Sequence, residues 1–423
     1  MKTNRRDFLS AGLVGSFAAT LPFTSGCSQA VKSTNTDYSK LDDILNQPVL
    51  KKEYFTTPVI IESLELLRFK DSYLCRVKST DGAEGISVGH PFYQIVLEFI
   101  FVRLLQPYFI GKDARNLDSL LEEVTNLNLN YRFQGSALGV PMAAIEFAIL
   151  DMLGRIADLP MGKLIGDIHN PKLGVYLAND NRGRSAEESI ERLVPFVKEN
   201  KVKAIKIKIG AGHGSYNVDN PPGRTEKWIP MVRETLGDDM VLYADSNGSY
   251  TVDEAIRVGK QLEEYRYEFY EEPVMYDWYE ETKQVADALN IPVAGGEQEP
   301  GIHAFRWLIG NNALQIVQPD TYYFGGMIRS MKVARMAEIY GVEFTPHMSG
   351  GGLGYIYMLH MTSAVPNACK YHEFKSSQTN VPFECRSSNL AVEDGLIKVP
   401  TGPGSGVEVD PEFVDKHSVI VAN

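Results

Sequence analysis

The residues able to do chemistry recur at a regular interval along the second half of the chain. Lys206 and Lys208 are followed by Asp245 and Asn247, then Glu271, Glu297, Asp320, His347 and Glu373. The steps are 26 residues from Asp245 to Glu271, 26 to Glu297, 23 to Asp320, 27 to His347 and 26 to Glu373. Each step is close to the length of one βα unit, so each unit delivers one polar group to a common rim. Asp245, Glu271 and Glu297 form an all-oxygen trio suited to a hard divalent cation such as Mg2+, because three convergent carboxylates without a cation repel one another. The bland alternative is that each caps a helix or pairs with a nearby cation. Two assignments stay open at this point, Glu271 against Glu272 and Glu297 against Glu299. Period two sends the neighbours Glu271 and Glu272 to opposite faces, so one of these two is structural.

Ala-Ile-Lys-Ile-Lys-Ile-Gly at 204–210 puts both lysines on one face of a strand and the isoleucines on the other. A neighbouring cation depresses a lysine pKa, which is how Lys206 would let Lys208 act as a neutral base. A solvated edge strand is the competing reading. His347, in Thr-Pro-His-Met-Ser-Gly, and Asp320, in Gln-Pro-Asp-Thr, stand at adjacent strand ends. A carboxylate bonded to one imidazole nitrogen fixes the tautomer and raises the basicity of the other. Glu373, in Tyr-His-Glu-Phe, is placed to donate or share a proton with a substrate oxygen; a salt-bridged core acid is the alternative. A proton on the carbon beside a carboxylate is barely acidic, since its loss piles negative charge on the carboxyl group. A metal, a lysine and a protonated Glu stabilise the resulting enediolate, while bases on opposite faces, Lys208 and His347, reach the proton.

These groups need a scaffold that brings strand ends together. After Pro171, short apolar strands at 174–177, 204–209, 240–244, 268–270, 293–294, 314–317, 343–345 and 370–372 alternate with amphipathic helices. Eight such strands, with no Gly-rich phosphate loop after the first, predict a closed parallel barrel rather than an open doubly wound sheet. Before them, apolar alternation broken at Lys70-Asp71-Ser72 and Thr80-Asp81-Gly82 predicts an antiparallel meander over 54–88, followed by helices near 93–105, 116–126 and 140–157. The fold class is therefore α/β: a modified TIM (β/α)8-type barrel at 171–373, with an N-terminal α+β capping domain at 51–170 that the C-terminal segment 374–423 returns to complete.

The N-terminus reads as an export address. Arg5-Arg6-Asp7-Phe8-Leu9 precedes a small-residue apolar run from Ala11 to Leu21, the pattern of a twin-arginine signal over 1–27. The run is short for a bilayer span. Thr24-Ser25-Gly26-Cys27 resembles a lipoprotein cleavage site, although Thr24 stands where an aliphatic residue is usual, so a lipid anchor at Cys27 and simple cleavage are both open. The polar stretch 28–50 reads as a tether, and the expected location is periplasmic. With 54 acidic against 42 basic residues and a net charge of −12, the chain has no footprint for nucleic acid. Four scattered cysteines and no CxxC pair argue against a disulfide framework or a zinc site.

Taken in order and spacing, these residues resemble the enolase superfamily, specifically the mandelate racemase subgroup. The resemblance runs from the Thr80-Asp81-Gly82 hairpin and Glu84-Gly85-Ile86 through the barrel. It implies Lys208 as the base of a KxK motif with Lys206 as companion, Asp245, Glu271 and Glu297 as Mg2+ ligands, His347 with Asp320 as a base or acid dyad, and Glu373 near the substrate carboxylate. Asn247 is expected among the substrate-binding groups. The family implies a small sugar acid or hydroxy acid as substrate and a homo-oligomer, and its commonest chemistry is dehydration of acid sugars. A racemase using the same two bases, and a sugar-acid binding protein without turnover, are the alternatives. A dipeptide epimerase would want a lysine where Asp320 stands. Capping-domain loops select the substrate in this family; here they fall at 68–72 and 89–93. The connection 210–224 beside Lys208 is either a partial lid or a solvated loop.

Overall fold

The computed structural model describes residues 36–127, 133–179, 182–375 and 379–421. The signal sequence with Cys27, and residues 28–35 of the expected tether, lie outside them.

β-branched and aromatic residues in alternation make the first sheet. β1 (Ile61–Phe69) pairs antiparallel with β2 (Ser72–Ser79), and β2 with β3 (Glu84–Val88). Its inner face packs on the 22-residue helix Ser136–Ala157, which is apolar almost all round and accordingly buried. Gly85 is required at that contact, because a Cβ there would lie 2.2 Å from Ala148 O. At the other edge of the sheet Ser418–Val419 pairs with β1, so the chain end does return to the first sheet.

Eight parallel strands follow: β4 (Lys172–Asn179), β5 (Ala204–Lys208), β6 (Val241–Asp245), β7 (Phe269–Glu271), β8 (Val293–Gly295), β9 (Ile316–Val317), β10 (Glu343–Phe344) and β11 (Tyr371–Phe374). They pair in the order β10-β9-β8-β7-β6-β5-β4-β11. The ring closes through a parallel bridge of Phe344 to Ala368 and the bond from Cys369 N to Phe344 O. Leu396–Lys398 adds an antiparallel strand beside β4.

Period two sorts each strand into two faces. Ile205, Ile207, Leu242, Ala244 and Tyr270 belong to the main core under the helices. Tyr176, Ala204, Tyr243, Phe269, Ala294, Ile316 and Tyr371 form a separate cluster, the plug inside the barrel. Tyr243 stacks on Phe269 at 3.9 Å, so the interior below the rim is filled rather than open. One step further along each strand, on the same inner face, stand Lys206, Asp245, Glu271 and Glu373. The plug is thus the floor of the candidate site.

Residues 37–50 depart from the tether reading. Ser39–Leu45 is a helix laid against the barrel helix Met327–Ile339, with Leu41 fully buried and Arg306 holding Asp42 at 2.6 and 2.7 Å. Val49 N and Leu50 N donate to the Asp118 carboxylate at 2.7 and 3.0 Å. Tyr38, Leu41 and Leu45 recur at helical spacing, which gives this polar stretch one apolar face to bury.

Candidate active site

Strand pairing sets the level of each functional side chain. Lys208 is in register with Asp245, and Asp245 with Glu271, so three neighbouring strands end on polar groups at one height. Asp245, Glu271 and Glu297 each offer an oxygen, and the three oxygens lie within 4.8 Å of one another. All three residues are buried. Glu297, rather than Glu299, joins the trio; Glu299 accepts from Tyr279 OH at 2.7 Å. Glu271, rather than Glu272, faces the barrel interior. Glu272 turns away on left-handed backbone (φ 42°) yet stays buried, with Oε1 unpartnered.

Both lysines reach this trio. Lys206 Nζ lies 2.8 Å from each Glu271 oxygen, 3.7 Å from Asp245 and 3.6 Å from Glu373. Lys208 Nζ donates to Asp245 Oδ2, and to Asn247 Oδ1 at 2.9 Å. Burial and Lys206 pull the Lys208 pKa down, but Asp245 and the other carboxylates outweigh them and the net shift is upward. The expected depression is therefore reversed, because the cationic neighbour is outnumbered by carboxylates. Lys206 is likewise raised against its burial. Asp245 moves the other way: burial would raise it, but Lys208, Lys206 and Arg182 hold it well below the usual range. Glu271 is pushed up to about 8 by burial and by Asp245.

On the far side of the ring, His347 Nδ1 lies 2.8 Å from Asp320 Oδ2. His347 Nε2 lies 3.2 Å from Glu297 Oε2 and 3.5 Å from Glu373 Oε2. Burial lowers the imidazole pKa, but Glu297, Glu373 and Asp320 overcome it and raise it to about 9. Glu373 corrects a second expectation. Burial would raise its pKa, but Lys206 and His347 hold it well below the ordinary range, so it stands as a carboxylate accepting from Met348 N at 3.0 Å rather than as a proton donor. Asn247 is already committed, accepting from Lys208 and from Arg182 at 2.9 Å and donating to Glu272 at 3.3 Å.

The trio suits a hard dication. Its donors are all carboxylate oxygens, and Glu297 Oε2 is buried without a well-formed hydrogen bond. The surrounding charge also calls for one. Asp245, Glu271, Glu297, Asp320 and Glu373 converge on Lys206, Lys208 and His347, with Arg182 acting on Asp245 from further off, so carboxylates outnumber the cations among them and a dication would offset the excess.

Several groups around the site were not anticipated. Arg182 donates to Asn247 and to the carbonyls of Ile209, Gly210 and Asp245, bracing the ends of β5 and β6. Gln318 Nε2 donates to Glu271 Oε2 at 2.8 Å; its place two residues before Asp320 was the available signal. His213 brings a ring nitrogen within 4.8 Å of Glu272 and Glu297 oxygens, from the 210–224 connection. That connection is pinned by Gly212 N to Ser249 Oγ at 2.8 Å and Thr251 N to Asn217 Oδ1 at 2.8 Å.

Comparison with known proteins agrees with this geometry. Residues 188–413 match the family described as enolase C-terminal domain-like, and residues 67–166 match the mandelate racemase / muconate lactonizing enzyme N-terminal domain. The chain belongs to the mandelate racemase / muconate lactonizing enzyme family of the enolase superfamily. Among its relatives, arabinonate dehydratase of Saccharolobus solfataricus is 26% identical over 309 residues, 73% of this chain and 79% of that one. D-galactarolactone cycloisomerase of Agrobacterium fabrum is 28% identical over 323 residues, 73% of this chain and 82% of that one. A mandelate racemase/muconate lactonizing protein of Paracoccus denitrificans, solved in complex with magnesium, superposes with a TM-score of 0.76 at 28% identity, covering 86% of this chain and all of that one (100%). The family's barrel and capping domain are thus both present.

Proposed function

We propose that the protein is a Mg2+-dependent acid-sugar dehydratase: it removes the proton beside a sugar acid's carboxylate and eliminates the hydroxyl on the next carbon as water. The observation that carries this reading is the opposition of Lys208, on β5, to the Asp320–His347 pair, after β9 and β10, across the buried trio on and after β6 to β8. Asp245, Glu271 and Glu297 would hold Mg2+, which when bound supplies positive charge against the carboxylate of the substrate. With those carboxylates engaged by a dication, Lys208 would be released from the charge that now holds its pKa up and could act as the base.

The chain's own residues then divide the work. Lys208 takes the α-proton from one side, while His347, oriented by Asp320, gives a proton to the departing hydroxyl from the other. Lys206, bridging Glu271 and Glu373, stabilises negative charge developing on the substrate carboxyl group. Glu373 orients His347 Nε2, and Asn247 holds Lys208 in line. The dehydratase among its relatives favours elimination over racemisation. Sugar acids are the substrate class, and the twin-arginine sequence supports action outside the cytoplasm; fractionation with an Arg5→Lys/Arg6→Lys chain tests the export, which cytoplasmic and periplasmic pools of unchanged ratio would refute. Screening aldonic, uronic and aldaric acids with MgCl2 and with EDTA tests the activity. Metal-dependent formation of a 2-keto-3-deoxy acid from at least one is expected; turnover of none would leave a binding protein.

A further inference from the structure

The Asp320–His347 pair is built on by a residue from the other domain. His90 follows β3 in the capping domain and is fully buried. Its Nδ1 lies 3.2 Å from Phe92 N and 3.2 Å from Tyr93 N. A backbone N–H can only donate, so Nδ1 is an acceptor and carries no hydrogen. Burial, opposed by Asp320, brings the ring's pKa down to about 4, so the ring is neutral at pH 7 and its one hydrogen is on Nε2. That nitrogen lies 3.2 Å from Ser349 Oγ, which must therefore accept. The serine's own hydrogen is left for Asp320 Oδ1, 2.8 Å away.

The direction of every bond downstream follows. Asp320 Oδ1 also accepts from Tyr322 N and Tyr323 N at 2.8 Å each, and Oδ2 accepts from Ser349 N at 2.6 Å. A carboxylate so filled with donors stays ionised, and Asp320 is indeed held below its ordinary range against its burial. His347 Nδ1 must then be the donor to Oδ2, which leaves Nε2 as the working nitrogen, turned towards Glu297 and Glu373.

We propose that His90 and Ser349 are positioning residues for the dyad, forming a one-directional chain His90 → Ser349 → Asp320 ← His347 that is complete only when the capping domain is seated on the barrel. The seating is itself polar: Tyr357 OH accepts from Val88 N at 2.8 Å, and Tyr322 OH donates to Val88 O at 2.9 Å. Val88 ends β3 two residues before His90, so the strand, the histidine and the dyad are fixed together. The capping-domain segment 88–93 and the dyad of the barrel are therefore tied together by these bonds. The proposal rests on the dyad role given above.

The test uses the full chain, 15N-labelled at histidine and loaded with MgCl2, and compares Ser349→Ala, Ser349→Thr, His90→Ala and His90→Gln. The His347 Nδ1–H resonance is identified by its loss in His347→Asn. In Ser349→Ala and His90→Ala this proton is expected to exchange with water faster, and kcat on an acid that is turned over to fall on the order of tenfold with KM little changed. Ser349→Thr and His90→Gln, which keep a donor in place, should recover most of both. An unchanged resonance and unchanged kcat in both alanine variants would overturn the proposal, as would His90→Gln as impaired as His90→Ala. Should no acid be turned over, the dehydratase reading fails, but the resonance still decides the positioning.

Discussion

Replacing Glu297 with Gln should invert the protein's response to divalent cation. The Glu297 oxygen lies within 4.8 Å of oxygens on Asp245 and Glu271. At an effective dielectric of about 20, each such pair repels by at least about 3.5 kcal/mol, or ~7 kcal/mol for the two. Against this stands the attraction to His347 Nε2 at 3.2 Å, about 5 kcal/mol when the ring is protonated. With Glu271 ionised, as above pH 8, these three pairs leave a repulsion on the order of 2 kcal/mol that the substitution removes in the metal-free protein. Glutamine keeps an oxygen for Gln298 Nε2, which now donates to Glu297 Oε1 at 3.3 Å. In EDTA, then, Glu297→Gln should unfold at equal or higher urea than the parent chain. With MgCl2 at a hundred times its dissociation constant the parent gains about 2.7 kcal/mol, and the variant, having lost a charged ligand, gains little. The order of the two denaturation midpoints should therefore cross between the two buffers. A variant destabilised in EDTA, or one that gains as much from MgCl2 as the parent, would refute the assignment of Glu297 to a cation site.

Asp320→Asn should bind Mg2+ as the parent does by calorimetry while kcat falls roughly 10^2- to 10^4-fold, the cost of losing the carboxylate that fixes an imidazole tautomer; a fall below threefold would deny the dyad. Acid should destabilise the fold in a window set by buried histidines. Burial brings His90 and His360 down to about 4 and His372 to about 3, each below an unfolded value near 6.5, so the unfolded chain takes up protons first. The stability these three rings contribute is complete above pH 6.5 and falls by about 3 kcal/mol per histidine on the way to pH 4. Urea midpoints across that range measure it, and a flat profile would contradict the burial of these rings. Gly139→Ala places a Cβ 1.9 Å from Tyr323 O, a backbone atom of the loop whose amides hold Asp320. It should cost about 1–3 kcal/mol in urea and lower kcat as well; full stability with normal activity would show that the capping helix does not set that loop.

Much of the scaffold is legible because period two and the βα repeat are strong signals. Ala204 to Lys208 reads as one strand with its lysines on one face, and the structure puts Lys206 and Lys208 there with Ile205 and Ile207 in the outer core. Spacing marks the strand ends that carry the carboxylates, while the choice of Glu271 over Glu272 and of Glu297 over Glu299 came from the structure. What spacing cannot give is charge balance. Lys208 looked like a lysine lowered by its companion, and Glu373 like a protonated acid, because a sequence does not show how many carboxylates converge on two ammonium groups. Contacts between distant segments are equally silent. His90 and Ser349 are 259 residues apart, and nothing local in Gly-His-Pro-Phe marks a histidine that braces a barrel loop. The helix Ser39–Leu45 was hidden for a related reason: a short apolar stripe in a polar stretch becomes visible only against the surface that buries it.

The most direct measurement of the central claim is proton NMR of an acid sugar turned over in deuterated water with MgCl2. Removal of the α-proton followed by elimination predicts loss of the C2 proton to solvent and a 2-keto-3-deoxy acid carrying one deuterium at C3, with both abolished in Lys208→Ala and in EDTA, and product formation abolished in His347→Asn. Product that forms with the C2 proton retained, or product formation undiminished in His347→Asn, would contradict it.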